Sequence, residues 1–190
     1  MPMQLTLLGT SCSIPTKDRN TAGYFLQYKN DGILFDCGEG TQRQMKTCGL
    51  KLSRITKILI THWHGDHVLG LGGLLQSINT LEFTPTLDVY GPKGSTQYFD
   101  HLFKSLAFEM RVPLKIHEVE TGVIFENDDY VLETRPLVHR VTCLAYSMRE
   151  KDKQKIIMSK IEKYNIPPGP LIGKLQRGET ITVNGKTITP

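Results

Sequence analysis

The 190-residue sequence predicts a layered α/β fold. Short apolar, β-branched runs such as Ile55–Ile60 alternate with segments whose apolar residues recur at helical spacing. Gly, Pro and Asn punctuate the boundaries between them. Hydrophobic residues make up 39% of the chain and charged residues 22%, which excludes a disordered or fibrous protein and suits one domain of ordinary size.

The elements follow in order. Gln4–Leu8, Tyr24–Tyr28 and Ile33–Asp36 read as short strands, with a Pro/Asn/Arg loop between the first two. Thr41–Cys48 reads as a helix closed by Gly49, a residue suited to a left-handed cap. Ile55–Ile60 has the composition of a buried strand and runs straight into Thr61–His67. A Leu-rich helix is expected over Val68–Leu81, a strand over Leu87–Tyr90 and a helix over Gly94–Leu106. Further strands are expected at Leu114–Val119, Tyr130–Thr134 and Cys143–Met148. Ile156, Ile157, Ile161 and Tyr164 fall at helical spacing among lysines, predicting an amphipathic helix over Lys153–Tyr164 that Ile166–Pro170 stops. The end, Thr180–Thr189, reads as a hairpin turning at Asn184–Gly185.

No apolar run approaches the roughly 20 residues of a membrane helix. Met1–Gly9 lacks the basic end and cleavage site of a signal peptide, so no membrane partner is expected. Cys12, Cys37, Cys48 and Cys143 lie far apart without a CxxC, which indicates neither a disulfide framework nor a structural zinc knuckle. A reducing cytoplasm is the expected compartment.

Charge is concentrated. The net charge is +4, yet residues 147–178 hold eight Lys/Arg against Glu150, Asp152 and Glu162, a local excess of +5. Such a stretch on a near-neutral body is either a solvated helix face or a grip for a polyanion.

Chemistry is concentrated in Thr61-His62-Trp63-His64-Gly65-Asp66-His67. His62 and His64 stand two apart at the end of a strand, so their side chains share one side. Gly65 permits a sharp turn that brings Asp66 and His67 back to the same pocket. Imidazole nitrogen and carboxylate oxygen are the ligands of a catalytic zinc. The natural division is one metal on His62 and His64 and a second on Asp66 and His67, a pair able to act on a phosphodiester.

This segment is the HxHxDH signature of the metallo-β-lactamase superfamily. With Leu34–Gln42, the Pro15–Asn20 loop and Ile166–Pro170 inside the basic stretch, the chain resembles the short form of ribonuclease Z (tRNase Z) from Leu7 to its last residue. The resemblance implies an αββα sandwich, of which this chain supplies the first half and an arm, with the second half absent. It implies a body over 1–148, a basic tRNA-binding arm over 149–178 and a return hairpin over 179–190.

It further implies two zinc ions per site, with His62, His64 and His139 on one and Asp66 and His67 on the other. Asp66 would also serve as general base toward the attacking water. Asp36 would support the histidine loop from behind rather than bind metal. Lys17 and Arg19 would lie near the 3′ end of the acceptor stem, and Lys151, Lys153, Lys155, Gly169, Pro170 and Lys174 would contact tRNA through the arm. Precursor tRNA is the implied substrate and a homodimer the implied assembly.

The family's bridging Asp and further His residues lie downstream of the arm, whereas the last His here is His139 and the last Asp is Asp152. The 190-residue chain is therefore expected to hold one zinc or fewer and to have little or no activity. The alternatives are a non-catalytic tRNA-binding fragment and another metallo-β-lactamase-fold hydrolase.

Overall fold

The computed structural model describes residues 2–81, 86–107, 109–153 and 155–190. They form two compact units, Met1–Arg149 and Glu150–Pro190.

The first unit opens with β1 (Gln4–Gly9), β2 (Gly23–Tyr28) and β3 (Asp31–Phe35), then α1 (Thr41–Thr47) and, after a 3-10 turn at Leu52–Arg54, β4 (Lys57–Leu59). It continues through α2 (Gly65–Val68), α3 (Leu71–Asn79), β5 (Leu87–Gly91), α4 (Ser95–Lys104) and β6 (Leu114–Glu118). Six strands make one sheet in the order β1-β2-β3-β4-β5-β6. The β1–β2 and β2–β3 pairs are antiparallel, and β3 through β6 run parallel. A second, three-stranded sheet holds β7 (Gly122–Glu126), β8 (Tyr130–Leu137) and β9 (Cys143–Glu150) in that order.

Strand period decides which layer each residue joins. Phe25, Leu34, Ile58 and Val89 face α1, α3 and α4, where they meet Met45, Leu74, Leu75 and Phe99. Their neighbours Leu26, Ile33, Leu59 and Tyr90 face the second sheet and meet Tyr130 and Leu132. The result is a helix–sheet–sheet stack with an apolar core on each side of the central sheet, so the expected metallo-β-lactamase-type layering is present.

A buried polar cluster ties the two sheets together. Lys57, 5% exposed, lies 2.8 Å from Asp31 and 4.1 Å from the Phe125 ring centroid, and the Tyr130 hydroxyl donates to Asp31 at 2.7 Å. Burial acts to raise the Asp31 pKa, but hydrogen bonds from Lys57, Tyr130 and Thr56 outweigh it and hold the carboxyl below its ordinary value. The stability this confers is present above the unfolded-chain pKa of 3.8 and is lost as pH falls through the lower folded value. Denaturant midpoints of the parent and Asp31→Asn should thus differ most near neutral pH and converge in acid.

In the first unit two expectations need correction and one strand is additional. The Val68–Leu81 helix starts earlier, at Gly65, and is interrupted at Leu69–Gly70. There the Gly70 N–H leaves the helical ladder for the Cys37 carbonyl at 2.9 Å, and a side chain at Gly70 would run into the Gly38 carbonyl. The strand at Ile55–Ile60 is only Lys57–Leu59 long. Strand β7 was not foreseen.

In the second unit, α5 (Met158–Lys163) is shorter than the expected Lys153–Tyr164, of which Gln154 lies outside the described residues. Ile166–Pro170 does not merely stop a helix. Gly169, at φ 139, leads into α6 (Pro170–Gln176) with Pro170 as its first residue, where a missing N–H costs nothing. β10 (Ile181–Val183) and β11 (Lys186–Ile188) form the expected hairpin, with Asn184 and Gly185 both at positive φ as a type I′ turn requires. Ile161, Ile166, Leu175 and Ile181 form the core of this unit.

Candidate metal centre

Past β4 the chain bends at Thr61 and reaches an extended His64 at φ -73, ψ 148, and the side chains of 62–64 separate to two sides. His62 and His64 turn one way, with His62 Nε2 3.1 Å from His64 Nδ1. Trp63 turns the other way, stacks on Tyr98 and donates its indole N–H to Ser95 Oγ at 2.8 Å. Ser95 is fully buried and passes its own proton to the Pro92 carbonyl at 2.6 Å. The indole therefore anchors the histidine segment to the start of α4.

The single turn of α2 brings Asp66 and His67 around. The His62 and His67 rings stand 4.1 Å apart. His67 Nδ1 lies 2.7 Å from Asp36 Oδ2, and Nε2 lies 3.5 Å from Asp66 Oδ2. An ionised carboxylate only accepts, so Nδ1 carries the proton and the Nε2 lone pair is left for a ligand. Asp36 is 2% exposed and sits at φ 54. It receives the Thr61 N–H at 2.8 Å as well as His67, a supporting position behind the histidines.

His139 arrives from the loop after β8, with Nε2 3.3 Å from His64 Nδ1. The ligand atoms of His62, His64 and His139 all lie within 4.8 Å of one another. Two nitrogens at about 2.05 Å from a tetrahedral zinc stand about 3.3 Å apart, so both close pairs fit a shared ion. Among the described residues this is the one group of three such side chains that converges. Asp66 and His67 remain a pair beside it.

Electrostatics agree with a cation site. Burial, then the neighbouring His67, pushes the His62 pKa down to about 4, which keeps that imidazole neutral. Burial acts to lower the His67 pKa, but the Asp36 hydrogen bond and the charges of Asp36 and Asp66 raise it. The carboxylates that draw a proton to His67 would draw a cation in its place. For Asp66, burial acts upward, but the Ser13 N–H at 2.7 Å and His67 hold the carboxyl below its ordinary value.

That Ser13 contact ties the 11–20 loop to the site. Thr16 and Arg19 close a turn through Thr16 N–H to the Arg19 carbonyl at 2.8 Å, leaving Lys17 and Arg19 exposed. Asn20 holds the far end, donating to the Glu39 carbonyl at 2.9 Å. In the second unit Lys153, Lys155, Gly169, Pro170 and Lys174 are exposed and Lys151 is half-buried. Sequence reasoning singled out the histidines but missed Thr61, Trp63, Ser95 and Ser13. No local signal marks them, because each acts through a contact that only the fold creates.

A family model described as anti-Pycsar protein Apyc1 matches residues 3–149. The chain belongs to that family. The match ends where the first compact unit ends. The chain is also 43% identical to a curated relative named ribonuclease Z from Nanoarchaeum equitans, over 97% of this chain and 58% of the relative. Another ribonuclease Z, from Methanothermobacter thermautotrophicus, is 39% identical over 99% of this chain and 61% of its own length. The chain thus spans about three-fifths of the length of the curated relatives it matches.

Among solved structures, human tRNase Z, short form, is 32% identical with a TM-score of 0.71, over 77% of this chain and 64% of that one. The resemblance to ribonuclease Z read from the motifs is borne out, as is the metallo-β-lactamase fold. The family model covers only the first unit, whereas the ribonuclease Z likeness cannot reach 97% of the chain without the second. Among the described residues no helix is long and apolar enough to cross a membrane.

Proposed function

We propose that this chain serves a zinc-dependent endoribonuclease that removes the 3′ trailer from precursor tRNA by water attack on a phosphodiester. The observation that carries this reading is the convergence of His62, His64 and His139 within 4.8 Å. The ribonuclease Z relatives supply the substrate class. His62, His64 and His139 would hold one zinc, and Asp66 and His67 would offer two ligands to a second. Bound zinc supplies Lewis acidity and an activated water.

Asp66 would orient the attacking water and take up its proton. Lys17 and Arg19 bind phosphates near the acceptor 3′ end, held in reach by the Ser13–Asp66 and Asn20–Glu39 contacts. Lys151, Lys153, Lys155 and Lys174, with the Gly169–Pro170 turn, grip the tRNA backbone as a body-and-arm division of labour. A homodimer working in the cytoplasm completes the reading.

The 190-residue chain, purified without chelator or added metal, is expected to carry about one zinc, because Asp66 and His67 alone are a marginal second site. It should bind precursor tRNA with an affinity that falls steeply with salt, about 0.7–0.9 log units per log unit of salt for each phosphate contact. It should cleave little. Chelator-sensitive cleavage by this chain would show a more complete centre than its own ligands provide, and zinc-free protein would sink the metal assignment.

The family model, matching the first unit under another name, favours a second reading as a different metallo-β-lactamase-fold hydrolase. Deleting residues 151–178 separates the two. Intact tRNA binding after that deletion would overturn the arm assignment.

A further inference from the structure

We propose that Thr61 is a positioning residue that fixes which nitrogen of His62 faces the metal, relaying the Asp36 carboxylate through its hydroxyl. This rests on the reading of His62 as a metal ligand. The Thr61 hydroxyl oxygen lies 2.9 Å from Asp36 Oδ2, 3.1 Å from Asp36 Oδ1 and 2.9 Å from His62 Nδ1. A hydroxyl has one proton to give, and an ionised carboxylate can only accept. The Thr61 proton therefore goes to Asp36, and the Thr61 oxygen accepts from His62 Nδ1–H. A neutral imidazole protonated at Nδ1 carries its lone pair on Nε2. That is the atom 3.1 Å from His64 Nδ1, in the cluster that fits zinc.

The arrangement joins the two sides of the site. One carboxylate orients His67 directly at 2.7 Å and His62 at one remove. The main chain of Thr61 is held independently of its side chain. Its N–H donates to Asp36 Oδ1 at 2.8 Å, and its carbonyl accepts the Leu144 N–H at 2.9 Å. A valine at this position keeps those contacts and the side-chain shape, and loses only the relay.

Zinc affinity of the 190-residue chain, Thr61→Val and Thr61→Ser is measured by competition with a chromophoric chelator. Far-UV circular dichroism serves as the control for folding. Valine should weaken zinc binding by roughly 10- to 100-fold, the usual cost of losing an outer partner of a metal ligand, and serine should stay close to the parent. Imidazole ¹⁵N spectra of the metal-free parent should show His62 protonated at Nδ1. Parent-like affinity in the valine variant overturns the relay. So does a serine variant as weak as valine, because serine keeps the hydroxyl the relay needs, and so does a His62 protonated at Nε2. If the parent binds no zinc, the metal reading fails, and the His62 spectrum alone decides the role of Thr61.

Discussion

His139→Ala is expected to abolish zinc binding by the chain while leaving the fold intact. His139 contributes one of the three converging nitrogens, and two ligands hold zinc only marginally. The loss should exceed the roughly 10- to 100-fold typical of residues that act behind a ligand. Little stability is at stake, since His139 is exposed and its neighbours Leu137, Val138 and Val141 are exposed too. His62 would be a poorer probe, being only 7% exposed and packed against three other imidazoles. The measurement is metal content and chelator competition beside a thermal melt. Unchanged zinc affinity in His139→Ala would remove it from the site.

Asp36 should separate stability from metal binding when two substitutions are compared. Asp36→Ala strands the Thr61 N–H, the Thr61 hydroxyl and the His67 Nδ1–H in a buried place. It also sets an alanine at φ 54. Each unsatisfied buried donor costs about 1–3 kcal/mol, and the left-handed backbone about 1–2 kcal/mol more. The expected destabilisation is on the order of 4 kcal/mol or greater.

Asp36→Asn tolerates the left-handed backbone and keeps one acceptor for the Thr61 N–H. Its amide nitrogen then faces His67 Nδ1 and cannot accept from it. His67 is driven to the tautomer with its proton on Nε2, the nitrogen nearest Asp66. Asparagine should thus fold nearly as well as the parent and bind metal poorly, as urea titrations beside metal analysis would show. Equal stability of the two variants would mean that neither the backbone conformation nor the donors matter.

The sequence showed most of the layers and the heart of the site because both rest on local pattern. Phe25, Leu26, Ile33 and Leu34 alternate by period two, and His62 and His64 do the same a few residues past β4. The Asn184–Gly185 turn needed only its own dipeptide. What was missed depends on distant chain. The break at Gly70 exists because the Cys37 carbonyl competes for its N–H. Helix α6 was read as a stop, since Pro170 ends one helix pattern as readily as it begins another. His139 could be chosen only through the family resemblance, because a lone histidine after a strand carries no spacing signal. Ser95 is ordinary in sequence and matters only because the Trp63 indole reaches it.

The contact between His139 and His64 closes a span of 75 residues. Close by, the Tyr146 hydroxyl reaches the Ile60 carbonyl across 86 residues at 2.8 Å. The strands β3 to β6 pair with successive neighbours, so the first sheet can assemble through shorter loops than the second sheet's attachment to it needs. A nascent chain therefore presents His62 and His64 well before His139 can join them. A cation bound by all three would be a clasp fastened late, and its retention would report that the second sheet has docked.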